Sequence, residues 1–205
     1  MTTPPTTSGR RHPELSTRQA ELLDRLEQLF LRHGFLHYTL DDLAGLLHCS
    51  KSTLYALAPS KEQLAAKVVR HYFRNVTARI EHRLTGILDV RERISAYLSA
   101  ASDELEPAST EFLDDVAAFE PARSVYETNA AMAAERVHGL IAEGVRSGIF
   151  RDVHAAFVAE MVTLAVTEIR RGDILHRTGL TSAQAFAELG RFVLGGLSAP
   201  PSPPS

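Results

Sequence analysis

Small hydroxyls, one lysine and one tyrosine stand on a very short predicted helix, Lys51 to Leu57, within the segment HCSKSTLYALAPS. The major groove of DNA admits a helix, and side chains of this size leave room for it to enter. Lys51 can bind a base acceptor or a phosphate, and the Tyr55 hydroxyl can donate to a phosphate. The other small polar side chains of this set are Ser50, Ser52 and Thr53. The residue types therefore favour double-stranded DNA as the ligand.

The predicted helices on either side would hold this short helix in place. Thr39 is a predicted N-cap, and Asp41 and Asp42 in the turn after it complement the helix dipole. Ser60 caps a long following helix, and Lys61 adds its charge to that helix N-terminus, which suits a phosphate. Two short helices joined by a tight turn and braced on both sides form a helix-turn-helix.

Apolar residues recur at helical spacing through the rest of the chain, without a convincing strand alternation. We predict an all-α protein with an N-terminal three-helix DNA-binding domain and a C-terminal helical domain. The predicted divisions are a disordered arm over 1–15, the DNA-binding domain over 16–75, the second domain over 76–198 and a disordered tail over 199–205. The nine predicted helices lie near residues 16–33, 39–48, 51–57, 60–88, 89–105, 109–119, 121–148, 152–176 and 181–197.

Charge is divided unevenly along the chain. Residues 1–75 hold 10 Lys and Arg against 7 Asp and Glu, whereas residues 76–205 hold 12 against 18, within a net charge of −3. A basic first part joined to an acidic body favours an anionic partner for the first part alone. Arg10 and Arg11 in the arm either enter a minor groove or remain solvated.

Other features of the chain predict a soluble cytoplasmic protein. No apolar run follows a basic start, and no uncharged apolar stretch is long enough to span a membrane, so we expect no membrane partner. The single cysteine, Cys49, cannot form an internal disulfide and fits both a reducing compartment and a small buried position.

Motifs of catalysis and metal binding are missing, including GxSxG, a Walker-type loop, HExxH and CxxC. We therefore predict no enzyme, no metal and no cofactor. Asp114 and Asp115 are adjacent and would point about 100° apart on a helix, so we expect a solvated face. Glu160, on an otherwise apolar helix, either faces solvent or lines a cavity or interface beside a cation.

The segment GFLHYTLDDLAGLLHCSKSTLYALAPSKEQL, residues 34–64, resembles the DNA-binding signature of the TetR family of transcriptional regulators. The match runs in one register without gaps, and the resemblance covers about residues 17–75. It rests on Gly34, Phe35, Thr39, Leu43, Ala44, Ser50, Thr53, Leu54, Tyr55, Ser60, Lys61, Glu62 and Leu64. The resemblance implies a ligand-responsive regulator, most simply a repressor that a small molecule releases from operator DNA.

The resemblance also implies where this chain would bind its partners. DNA contacts are expected from Thr39, Ser50, Lys51, Ser52, Thr53, Tyr55, Ala56 and Lys61. A homodimer would form through the last two long helices, with Phe157, Leu164, Val166, Phe186, Leu189, Phe192 and Val193 at the interface. An effector cavity in the body would be lined by Tyr97, Phe112, Phe119, Tyr126, Met132, His138, Glu160 and Met161. That largely apolar set favours a hydrophobic small molecule.

Several positions depart from the family pattern. His48 stands where a turn glycine is usual, so a left-handed backbone there would cost energy. Ser52 replaces a glycine, and Ala56, Leu57 and Ala58 replace an aromatic residue, a His or Tyr, and a Phe. We expect Leu57 to fill the space of the missing Phe. These departures leave an alternative open, in which the DNA-binding domain has drifted into non-specific DNA binding or protein interaction.

Overall fold

The computed structural model describes residues 16–198, and over that range it contains ten α-helices and no strand. The prediction of an all-α fold is confirmed. The predicted arm 1–15, with Arg10 and Arg11, and the predicted tail 199–205 lie outside the described residues. The helices are α1 (Thr17–His33), α2 (Leu40–Leu46), α3 (Lys51–Tyr55), α4 (Lys61–Leu84), α5 (Val90–Leu105), α6 (Thr110–Ala118), α7 (Glu120–Arg146), α8 (Ala155–Arg171), α9 (Asp173–Thr178) and α10 (Ser182–Leu197).

Side-chain caps fix where the first helices begin. Ser16 and Thr39 each form a capping box, with Gln19 and Asp42 respectively, so that two otherwise unpaired backbone donors are satisfied at each helix start. The Ser60 hydroxyl accepts a hydrogen bond from the third residue of α4 at 3.2 Å. These starts depend on local residues only, which is why the sequence places them well.

Helix α4 connects the DNA-binding head (α1 to α3 and the first half of α4) to the body formed by the later helices. The predicted boundary at residues 75/76 falls inside this helix, so one element serves both parts. The helix ends at Leu84, and Gly86 follows with φ at +84°. Leu88, the last residue of the helix predicted near 60–88, is 92% exposed because the helix has already ended. The buried stripe is Leu64, Val68, Tyr72, Val76, Ile80 and Leu84.

The helix predicted over residues 152–176 is wrong as a single element. Helix α8 ends at Arg171, and α9 begins at Asp173, because Gly172 between them has a left-handed backbone with φ at +88°. That conformation ends the α-helical hydrogen-bond ladder and suits glycine, which has no β-carbon. The described residues therefore contain ten helices and not nine.

Helix α6 packs against α1 and joins the body to the head. Phe35, just after α1, is fully buried and stacks on Phe30 with ring centroids 5.2 Å apart. The rings of Phe112 and Phe119 meet Phe35 edge-on, at 6.2 and 6.0 Å. Both rings were predicted in the effector cavity, and that prediction is corrected, because Phe35 draws them into the core of this junction.

Asp115 also belongs to this junction, so the prediction that it lies on a solvated face is wrong. One oxygen of its carboxylate accepts the backbone N–H of Leu36 at 2.8 Å and that of Phe35. The N–H of Ser109, which caps α6, donates to the Leu31 carbonyl at 2.8 Å. Asp114 is exposed. Helix α6 therefore holds the loop after α1 by charge-assisted and backbone hydrogen bonds.

No helix within residues 16–198 has both the length and the apolar character that crossing a membrane requires.

Candidate DNA-binding surface and effector cavity

Helix α3 lies at the surface and is anchored by one fully buried side chain, Leu54. Leu57 and Ala58, just after it, are buried too, and Leu57 occupies the core as expected. On the opposite side Lys51, Ser52 and Tyr55 are exposed. The apolar anchor therefore fixes which side chains α3 presents to a ligand.

The turn before α3 keeps its geometry without the usual glycine. His48 has φ at +50°, and it is the one non-glycine residue with a positive φ in the range 16–198. The Cys49 N–H then donates to the Ala44 carbonyl at 2.9 Å, and Cys49 itself is half-buried. A left-handed residue with a β-carbon costs about 1–2 kcal/mol, and His tolerates this region better than most residues.

The small hydroxyls at the start of α3 bind one another. Ser50 Oγ lies 2.7 Å from Ser52 Oγ and 2.8 Å from Thr53 Oγ1, and it also accepts the Thr53 N–H as the helix cap. Thr53 is half-buried, whereas the two serines are exposed. Each hydroxyl retains donor or acceptor capacity, so the group can reorient towards a base edge or a phosphate.

Lys51 forms an ion pair across the turn with Asp41, with Nζ 2.7 Å from Oδ1. The hydrogen bond from the carboxylate raises the pKa of Lys51 above its usual value. Both side chains are well exposed, and such pairs are weak and screened by salt. Lys51 is therefore fully charged, and its ammonium group can leave Asp41 to bind an anionic ligand.

Thr39 and Lys61, two other predicted DNA contacts, have partners inside the head. The Thr39 hydroxyl and the Thr39 backbone N–H donate to Asp42 Oδ2 at 2.7 and 2.8 Å, and these two bonds lower the pKa of Asp42. The same hydroxyl accepts the Asp42 N–H. Lys61 Nζ donates to the Leu36 carbonyl at 2.6 Å. Ala56 is exposed at the C-terminal end of α3.

The structure adds residues of α1 that sequence reasoning did not single out. The side-chain amide of Gln19 donates to the Ala56 carbonyl at 3.3 Å, which ties the start of α1 to the end of α3. Arg18 lies in the same surface cleft and adds a positive charge beside Ser52. Gln19 and Ala56 are 37 positions apart, so the sequence does not indicate that they are in contact. The only local signal in this segment was the cap at Ser16.

A polar cluster in the head joins α1 to α4, with Glu27 buried, His71 nearly so and Asp24 exposed. His71 Nε2 lies 2.7 Å from Asp24 Oδ1 and 3.6 Å from Glu27 Oε2, and Arg74 Nη2 lies 3.1 Å from His71 Nδ1. Since the guanidinium can only donate, His71 Nδ1 accepts from Arg74. His71 Nε2 lies within hydrogen-bond distance of both Asp24 Oδ1 and the Asn75 side-chain nitrogen, at 2.7 and 3.0 Å. Burial raises the pKa of the Glu27 carboxyl.

An apolar cavity of about 260 Å³ lies in the body between α4, α5, α7 and α8. Polar groups are few: Thr77 Oγ1 donates to Asn129 Oδ1 at 3.2 Å, and Arg136 binds Glu81 through two bonds of 2.7 and 3.0 Å. Burial raises the pKa of Tyr97, whose side chain also lines the cavity. An apolar chamber with a few polar points suits a small organic molecule.

Three of the eight residues predicted in the cavity line it: Tyr97, Tyr126 and Met132. His138 is half-buried on α7 away from the lining, and Glu160 and Met161 are exposed on α8. Their placement is corrected, because α8 turns these two side chains away from α4 and α5. Glu160 does not line the cavity, and its exposure in the single chain fits both the solvent-facing and the interface alternatives.

The predicted interface residues divide into three groups. Phe157, Leu164 and Phe192 are 63%, 58% and 81% exposed, which leaves them free to meet a second subunit. Phe186 and Val193 are buried within their own chain, so neither offers a partner much surface, and Val166 lines the cavity. Leu189 is half-buried. Helical periodicity identified the apolar helices but not which face packs inwards.

The chain is similar to known transcriptional regulators over nearly its whole length, although no family model matches it. It is 27% identical to the HTH-type transcriptional repressor KstR2 of Rhodococcus jostii over 213 aligned positions, which cover 98% of this chain and 99% of the relative. A transcriptional regulator from Saccharomonospora viridis, solved in complex with choline, superposes with a TM-score of 0.75 at 18% identity, over 89% of this chain and 98% of that one. The TetR family regulator PfmR from Thermus thermophilus gives a TM-score of 0.64 at 20% identity, over 87% and 99%.

The chain has a helix-turn-helix head on an all-helical body, and it shares this fold with the TetR family regulator PfmR. Along nearly its full length its sequence is similar to that of a transcriptional repressor. The relatives described above are transcriptional regulators.

Proposed function

We propose that this protein is a cytoplasmic repressor that binds operator DNA as a homodimer and leaves it when a largely apolar small molecule occupies the body. The observation that carries the proposal is α3, where Lys51, Ser52 and Tyr55 are exposed on a helix fixed by the buried Leu54. Similarity to a repressor along the whole chain favours this function over the alternative of a drifted head.

On DNA, α3 lies in the major groove and its polar side chains change partners. Lys51 leaves Asp41 for a guanine acceptor or a phosphate, since the exposed pair is weak. Ser50, Ser52 and Thr53 turn their hydroxyls to base edges, and the Ala56 methyl meets a thymine methyl. Tyr55, Thr39 and Lys61 bind phosphates and set the register.

The dimer forms through an apolar face on α8 and α10. Phe157, Met161 and Leu164 recur at helical spacing on one side of α8, and all three are at least half exposed. Phe192 of α10 is the most exposed of the predicted interface side chains. A twofold partner would cover this face and place the two α3 helices in successive major grooves, about 34 Å apart.

The effector would act on the head through α6. The cavity adjoins a second cavity bounded by α6, with Tyr126 and Thr167 in both walls. Helix α6 in turn holds the loop after α1 through Asp115. A ligand that favours a different position of α6 would therefore favour a different spacing of the two heads.

The test is a selection from random duplex DNA with the purified full chain, scored by sequencing. A palindromic motif with half-sites about one turn or more apart supports the proposal. Uniform, steeply salt-dependent binding without a motif would contradict it and favour the drifted head.

A matched pair of variants locates the interface. Lys51→Gln is expected to weaken binding to the selected operator about tenfold or more, since one good base contact contributes about 1–3 kcal/mol. Arg83→Gln removes an exposed charge at the end of α4, outside both the head and the proposed dimer face, and is expected to leave binding unchanged. Equal losses in the two variants would show that charge alone, and not α3, accounts for binding.

A further inference from the structure

A second cavity adjoins the apolar one and has a different character. It measures about 320 Å³ and lies between α6, α7 and α8, next to the junction with the head. Tyr126 and Thr167 belong to both walls, so the two cavities are neighbours across these side chains. Three arginines line the second cavity, namely Arg123, Arg170 and Arg171, against two carboxylates, Asp114 and Glu127.

Arg170 is the unusual group in this wall. It is half-buried, and no carboxylate oxygen lies within 4 Å of its nitrogens among residues 16–198. Among the described residues, its one hydrogen bond is from Nη2 to the Ala108 carbonyl, at 2.9 Å. Burial lowers its pKa, which reflects the cost of holding this cation away from water, and the charge of Glu106 offsets only part of that effect. A half-buried charge of this kind is stabilised by an anionic partner.

The neighbouring arginines differ from Arg170. Arg171 is well exposed and already paired with Glu168 at 2.9 Å. Arg123 is exposed and donates to the Ala117 carbonyl in the last turn of α6, at 3.1 Å. Of these three arginines, Arg170 is therefore the one that is half-buried and also has N–H donors left for a ligand. Arg123 can supply a second donor to an anion bound by Arg170.

We propose that the two cavities form one site for an amphipathic anion, whose apolar body fills the first cavity and whose carboxylate binds Arg170. The inference deepens the proposed function and rests on it in one respect, that the body receives a small-molecule effector. The guanidinium offers the planar, two-donor geometry that a carboxylate matches. The apolar walls of the first cavity bind the apolar body of the ligand, and Tyr126 and Thr167 line both cavities.

Isothermal titration calorimetry on the full-length protein tests whether the ligand is an amphipathic anion. The two probes are decanoate and 1-decanol, which have the same number of carbon atoms. Decanoate is expected to bind about tenfold to a hundredfold more tightly than decanol, since hydrogen bonds to a charged group contribute about 1.5–3 kcal/mol. Arg170→Gln should abolish that preference and leave decanol binding as it was, and Arg170→Lys should retain part of it. Arg83→Gln, outside both cavities and the proposed dimer face, is the control and should retain all of it.

Equal affinity of the two probes for the wild type, or no binding of either, overturns the inference. A preference for decanoate that survives Arg170→Gln overturns it as well. If that variant does not fold, the comparison of the two probes on the wild type is the deciding measurement. Measuring whether each probe releases the protein from operator DNA distinguishes a failure of this inference from a failure of the proposed function. If decanol releases DNA as well as decanoate does, the effector response stands and the anion site fails. If decanoate binds through Arg170 and the operator stays bound, the site stands and the effector response fails.

Discussion

Replacing Asp115 by alanine should weaken the link between body and head. Its carboxylate accepts two adjacent backbone N–H groups, those of Phe35 and Leu36. Phe35 is fully buried, so no water can take the place of the lost acceptor at its N–H, whereas Leu36 is exposed and can be resolvated. The adjacent Asp114 is exposed and makes no such bond within the described range, which makes Asp114→Ala a matched control.

The expected loss follows from these two bonds. A hydrogen bond to a charged group contributes about 1.5–3 kcal/mol, and an unsatisfied buried donor costs about 1–3 kcal/mol. With the Phe35 donor left unpaired and the Leu36 donor resolvated, Asp115→Ala should lower the free energy of unfolding by about 2–4 kcal/mol. Asp115→Asn keeps an acceptor oxygen but loses the charge, and we expect about 1 kcal/mol.

Urea unfolding followed by far-ultraviolet circular dichroism measures these differences at equilibrium. The expected order of stability is wild type and Asp114→Ala together, then Asp115→Asn, then Asp115→Ala. The reasoning is refuted if Asp115→Ala and Asp114→Ala agree within about 0.5 kcal/mol, the range of ordinary surface substitutions.

Three further substitutions test other parts of the chain. His48→Gly should stabilise the protein by about 0.5–1 kcal/mol. It relieves about 1–2 kcal/mol of strain from the left-handed backbone, which outweighs the added conformational freedom of the unfolded chain. A lower urea midpoint would contradict this. Gly144→Ala should lower the free energy of unfolding by about 1–3 kcal/mol, because its methyl would collide with the Phe150 ring. The methyl of Gly139→Ala meets no other atom, and this variant should gain up to about 1 kcal/mol. Similar urea midpoints for the two variants would refute the packing argument. Burial raises the pKa of Glu27, so the stability that its protonated form contributes is present below its unfolded pKa and lost as pH rises through the folded one. Glu27→Gln should therefore melt higher than the wild type at pH 8 and lose that advantage towards acid pH, and a difference that does not change with pH would be inconsistent with a titrating carboxyl.

Much of the head was predictable from the sequence because its signals are local. The caps at Ser16, Thr39 and Ser60 fix helix starts through residues three positions away. The small exposed set on α3 lies between turn residues that the sequence displays directly, and the family resemblance covers the same segment. The positive φ at His48 followed from the same register, since the chain must turn at that point whichever residue it carries.

The body was predictable only as a set of amphipathic helices. Periodicity shows that α10 is apolar on more than one face, but it does not tell which face packs inwards. Tertiary packing buried Phe186 and left Phe192 exposed, although both are apolar positions of one helix. The same packing placed Val166 in the cavity wall and turned Met161 outwards.

The sequence by itself therefore determined the helices, their caps and the chemical character of α3, because these depend on neighbours along the chain. Only the tertiary structure decided the partners of Asp115, the position of Phe112 and the half-buried position of Arg170, which has no carboxylate within 4 Å among residues 16–198. Each of these depends on contacts across 60 or more positions of the chain, such as Asp115 with Leu36 and Arg170 with Ala108, and no local pattern encodes such a meeting.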